Sequence, residues 1–123
     1  MSTYLSAEEI LGADDLLREP VDVPEWGGTV LVQGMNGTDR DRFESSLIND
    51  KMNGVSKDKA LDNYRARLAA FTLVDESGKR MFRSDAEVKR LGTKSAQALT
   101  RVVQVASRLS GLTSEDVDEL TGN

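Results

Sequence analysis

The spacing of apolar and polar residues changes period several times along the chain, and each change marks an element. Ser6-Ala7-Glu8-Glu9 has capping-box spacing and runs into Ile10-Leu11 and Gly12, which predicts a helix of a turn or two. From Pro20 the pattern alternates through Val21-Asp22-Val23, breaks at Pro24 and Gly27-Gly28, and resumes as Thr29-Val30-Leu31-Val32-Gln33. Two strands this close predict a β-hairpin over about residues 21–35, with Trp26 at its bend. Pro24 lacks a ladder donor and places its strand at a sheet edge.

After Gly34 and Gly37 the period becomes helical. Thr38-Asp39-Arg40-Asp41 predicts the cap of a helix with Phe43 and Leu47 on one face, ending before Gly54. The polar, Gly-interrupted stretch Asn49–Asp58 reads as a mobile loop. A stronger helix follows, with Leu61, Tyr64, Leu68 and Phe71 in helical register. Asp75-Glu76-Ser77-Gly78 is turn chemistry, and Lys79-Arg80-Met81-Phe82 reads as a short extended return. Ser84-Asp85-Ala86-Glu87 opens another helix, which breaks at Leu91-Gly92-Thr93. The longest helix is predicted from Lys94 to about Leu109. Leu99, Val102, Val103, Ala106 and Leu109 fill one arc of it, and Lys94, Arg101 and Arg108 form a basic stripe beside that arc. Gly111 closes it, and Thr113 or Ser114 caps a final acidic turn carrying Val117 and Leu120.

The pattern predicts a mainly α chain with a small β-hairpin, an α+β class, as a single compact domain of about four to five helices over residues 1–123. Residues 1–19 read as a semi-independent acidic N-terminal arm, and residues 112–123 as an acidic C-terminal tail. Aromatics make up only 5% of the residues, so the core must rest on Leu, Val, Ala and Met with few large anchors. Charge is uneven: residues 1–28 carry −6, residues 29–111 carry +5 and residues 112–123 carry −4. Such ends either sit at helix starts and repel non-specific partners, or fold back on the basic centre or link copies through it.

Composition also limits the chemistry. With no Cys and no His, disulfides, Cys/His zinc sites, thiol nucleophiles, His general bases and haem ligation are excluded. No serine can be activated by a histidine. The cluster Glu115/Asp116/Asp118/Glu119 lacks the alternating ligands, central Gly and terminal Glu of a calcium loop, so no metal site is expected. Gly27-Gly28 is followed by neither a GK[ST] signature nor a helix start, so no phosphate loop and no cofactor are expected. An enzyme is not expected. No run of about 18 apolar residues offers a membrane span, and the acidic start is no secretory leader, which together point to a cytosolic chain.

What remains is binding. The stripe Arg90, Lys94, Arg101 and Arg108 is a solvated face, a nucleic-acid contact, or a surface for an acidic or helical protein. The net charge of −5 and the lack of interleaved aromatics weigh against nucleic acid. Trp26 either packs the hairpin onto the helices or faces a partner as an anchor. Leu99, Val103 and Leu109 are read both as core and, because their arc spans about 120°, as part of a surface wider than one helix neighbour needs. The candidate partner-binding residues are thus Trp26, Leu99, Val103, Lys94, Arg101 and Arg108.

The order of these features resembles one family. It runs from a Ser-capped acidic start to Val23-Pro24-Glu25-Trp26-Gly27-Gly28-Thr29-Val30-Leu31-Val32, then a Thr-Asp-Arg-Asp-Arg-Phe helix start. The Asp75–Phe82 return, the segment Asp85–Ser95, an amphipathic helix and an acidic tail complete it. The chain is similar over nearly its whole length to the tail assembly chaperones of bacteriophages with long, non-contractile tails, most specifically at VPEWGG. The resemblance implies a non-enzymatic protein that binds the tape measure protein, keeps it soluble and helps recruit tail tube subunits. It also implies self-association, action in the host cytoplasm and absence from the mature virion. Many such chaperones are made as two products, the longer by ribosomal frameshifting, and the acidic tail suits the shorter. A structural component kept in the particle and a nucleic-acid-binding regulatory module are the rival readings.

Overall fold

The computed structural model describes residues 4–112, with residues 57–63 described as backbone only. The N-terminal segment holds α1 (Ala7–Leu11), where Ser6 Oγ accepts the Glu9 N–H and the Glu9 carboxylate accepts the Ser6 N–H. α1 buries none of its residues. Strands β1 (Arg18–Val23) and β2 (Gly28–Gln33) follow as an antiparallel hairpin. A single 3-10 turn, Pro24–Trp26, joins them, and Gly27 closes it at φ 76°, a left-handed conformation that favours glycine. Arg18 faces Gln33 and Val21 faces Val30 across the pair; Thr29 Oγ1 donates to Asp22 Oδ1 at 2.8 Å.

The hairpin expectation holds, and β1 is an edge strand of the order β1-β2-β3, but Pro24, from which the edge was expected, lies in the turn and outside the strand. An edge position tolerates Pro20 within the strand, because no second ladder needs its missing N–H. The sheet is larger than the pattern suggested. Helix α3 (Lys57–Thr72) runs straight into β3 (Leu73–Val74), which pairs antiparallel with β2, Val32 facing Leu73. The expected extended return reduces to one bridge, Val74 to Arg80.

Three further boundaries differ. α2 (Gly37–Met52) is capped by Asn36 rather than by Thr38-Asp39, its side chain accepting the Asp39 N–H at 2.8 Å. The anticipated loop over residues 49–58 shrinks to residues 53–56, because α2 continues through Met52 and α3 starts at Lys57. After α4 (Asp85–Leu91), α5 (Ala96–Leu109) begins behind its cap Ser95, so Lys94 lies in the link before the helix instead of on it. The final acidic turn and the 112–123 tail fall outside the described residues, apart from Leu112, and so does the Leu61 side chain.

α5 packs on β1, β2 and α3, α2 packs on α3, and α4 packs on α3. The core between them contains Val23, Val32, Phe43, Leu47, Leu68, Leu73 and Val102. Ala98, Leu99, Val102 and Ala106 form the buried stripe of α5. Burying each large aliphatic or aromatic side chain contributes roughly 1.5–3 kcal/mol. The β2 exit is stitched to the end of α5, where the Met35 N–H donates to Ser110 Oγ at 3.0 Å and Arg40 Nη1 donates to the Ser110 carbonyl at 3.3 Å.

Two carboxylates tie local structure to pH. The N–H groups of Ser84 and Arg83, then the Ser84 hydroxyl, hold the Glu87 carboxyl below its ordinary value. The Ser77 hydroxyl, then the Lys79 N–H, do the same for Asp75 in the turn after β3. A pKa lower in the folded chain stabilises fully above the ordinary carboxylate range, and that contribution is lost as pH falls through the depressed value. Urea midpoints are therefore expected to drop from neutral into acid pH, and Glu87→Gln with Asp75→Asn to flatten that dependence.

Candidate partner-binding site

The hairpin tip and the α4–α5 link enclose a groove of about 510 Å³. Trp26 comes from the turn between β1 and β2, Phe82 from the segment leading into α4, and Leu91, with Arg90, from the end of α4. Lys94 closes one side. Trp26 and Phe82 are partly buried and pack against the core, while Leu91 belongs to it. The Trp26 indole N–H is buried and meets no acceptor among the described residues. An unmet buried donor costs about 1–3 kcal/mol.

Charge around the groove is partly committed. Glu25 lines it and accepts Arg101 Nη1 in an ion pair. Glu87 also lines it, but its carboxylate serves the α4 cap. Lys94 makes no ion pair among the described residues and can meet an incoming acid. The groove thus sets the apolar groups of Trp26, Phe82 and Leu91 among the acids Glu25 and Glu87 and the bases Arg90 and Lys94.

The six residues singled out from the sequence separate on folding. Trp26 and Lys94 meet in the groove, and Arg101 touches it through Glu25. Arg108 lies elsewhere along α5, paired with Glu19 of β1 at 2.7 Å. The acidic N-terminal third thus folds back on the basic stripe at two points, laying β1 under α5. Leu99, at 4% exposure, is core and reaches only a recess of about 100 Å³ shared with Lys94. Val103 is half-buried against the core, and so is Leu109. Phe82 and Leu91 escaped the sequence reading as site residues, because Phe82 was read as core and Leu91 as part of a break between helices.

Another set of apolar groups was signalled only by the Ile10-Leu11 pair. Of the large apolar side chains exposed among the described residues, Tyr4, Leu5, Ile10, Leu11 and Leu17 all belong to the segment before β1. Ile48, Met52 and Met81 are the others. No helix among the described residues is long and apolar enough to cross a membrane.

No curated protein and no solved structure shows a match to this chain. A family model does: that of the phage tail assembly chaperones matches residues 11–122, from the end of α1 through the hairpin, the groove and α5. With nearly its whole length matched, the chain belongs to the phage tail assembly chaperone family.

Proposed function

We propose that this chain binds the tape measure protein during tail assembly, keeps it soluble and helps recruit tail tube subunits, without catalysis. It does so in the host cytoplasm as a self-associating protein and leaves before the virion matures. A longer frameshifted product carries the tube contact. Family membership supports the assembly role, and the Trp26 groove is the observation that supports a helical client. A long helical client presents apolar side chains flanked by charge, and an aromatic anchor in a groove rimmed by charged groups, Lys94 among them, matches that chemistry. The rival use of the α5 stripe on nucleic acid is weakened because Arg101 and Arg108 are already paired with Glu25 and Glu19.

Co-expression with the tape measure protein tests the reading. Trp26→Ser combined with Lys94→Glu is expected to lower the soluble client roughly tenfold or more, since a buried Trp anchor is worth about 2 kcal/mol or above. A thermal melt of the variant confirms that it folds. Unchanged client solubility in a folded variant removes the groove from the mechanism.

A further inference from the structure

A second concave surface lies away from Trp26 and collects like charges. Arg42 on α2, Arg67 on α3, and Arg80 and Arg83 between β3 and α4 all line one groove of about 310 Å³. Phe71 and Val88 form its apolar walls, and Asp85 is the one acid lining it. It adjoins a wider recess of about 850 Å³ that shares Arg67, Asp85 and Val88.

Two of the four arginines are committed. Arg67 pairs with Asp50 at 2.7 Å. Arg80 lies 4.1 Å over the Phe71 ring and donates to the carbonyls of Ala70 and Phe82 at 3.1 and 3.0 Å. Burial pulls the Arg80 guanidinium below its ordinary pKa; Asp39 opposes this, and the charges of Arg83 and Arg42 add to it. Arg42 and Arg83 are exposed and make no ion pair among the described residues. A chain of net charge −5 that gathers four guanidinium groups around one apolar-walled groove holds an incomplete ion-pair site there.

The complementary surface is in the same sequence. The segment before β1 carries Glu8, Glu9, Asp14 and Asp15 with no base until Arg18, and it exposes Ile10, Leu11 and Leu17. None of the residues of α1 is buried, so this arm has both charge and apolar surface to place elsewhere. Resting on the self-association proposed above, we infer that the acidic N-terminal arm of one copy docks into the arginine groove of a second copy. Its carboxylates meet Arg42 and Arg83, and its leucines cover the Phe71 and Val88 walls. The contact is head-to-tail, so each copy keeps a groove and an arm for further copies, and it leaves the Trp26 groove open.

Sedimentation of the full chain over a range of concentrations, at low and high salt, tests this. The wild type is expected to associate at low salt and to weaken as salt rises. Asp14→Arg with Asp15→Arg, or Arg42→Glu with Arg83→Glu, is expected to weaken association about tenfold, and the two variants mixed to recover it. All four positions are exposed, so folding, checked by thermal melt, is expected to be kept. A wild type that stays monomeric at low salt overturns the proposal. Groove reversal that weakens association while arm reversal does not also overturns it, because another acidic segment is then the occupant.

Discussion

Replacing Phe43 by alanine is expected to lower the stability of the fold by about 3–5 kcal/mol and its melting temperature by roughly 10–20 °C. Phe43 is fully buried, at 0% exposure, on the face of α2 that meets α3. Its ring centroid lies 5.5 Å from that of Tyr64 and 6.0 Å from that of Phe71, edge-on to the latter at 72°. The chain has six aromatic residues in all, and three of them meet at this point. Alanine would leave a cavity whose walls are held by two rings and two helices, which can close only partly. Phe43→Leu, which keeps most of the volume, is expected to cost much less. Urea unfolding of both variants measures the difference. A loss under about 1 kcal/mol for the alanine variant would show that α2 closes onto α3 and that the aromatic cluster is not a rigid anchor.

The second large effect is expected from adding a single methyl group. Gly34 is buried where β2 leaves the sheet, and a Cβ built there would lie 2.5 Å from the Leu109 carbonyl oxygen at the end of α5. The obstacle is backbone, and it cannot rotate away as a side chain would. The same place holds the Met35 to Ser110 and Arg40 to Ser110 hydrogen bonds, so moving α5 aside strains these too. Gly34→Ala is therefore expected to cost about 3 kcal/mol, the upper end of an overpacking penalty. Gly37→Ala is the control, because a Cβ at Gly37 meets nothing within 4 Å. It is expected to change the urea midpoint by little, within about 0.5 kcal/mol. Equal behaviour of the two alanine variants would mean that the β2–α5 junction yields.

The proposed client groove and the proposed self-docking surface predict different phenotypes. Reversing charge at Asp14 and Asp15 alters assembly size without touching Trp26, whereas Trp26→Ser with Lys94→Glu alters the client while the arginine groove stays intact. The two surfaces therefore fail separately if either is wrong.

What the residues announced on their own was whatever needed only neighbours a few positions away. Both capping boxes, Ser6 with Glu9 and Ser84 with Glu87, close over three residues and were readable from spacing. So was the hairpin, whose turn Pro24–Trp26 and left-handed Gly27 lie between its own strands. The Asp75 turn and the α5 arc followed the same logic. The uneven charge was visible too, as a total for each segment.

Tertiary structure decided the rest, because the deciding neighbour is distant in the chain. Leu73 and Val74 become a strand only through their pairing with Val32 and Leu31 of β2. Leu99 and Val103 share one helical arc, and the way α5 settles on β1, β2 and α3 buries the first and leaves the second at the margin. Arg101 finds Glu25 across 76 positions and Arg108 finds Glu19 across 89, which turns a surface stripe into a clasp over β1. The two grooves arise in the same way, each from residues of three or more segments. A period along the chain reports which faces are apolar, and only packing reports which of those faces have already met a partner.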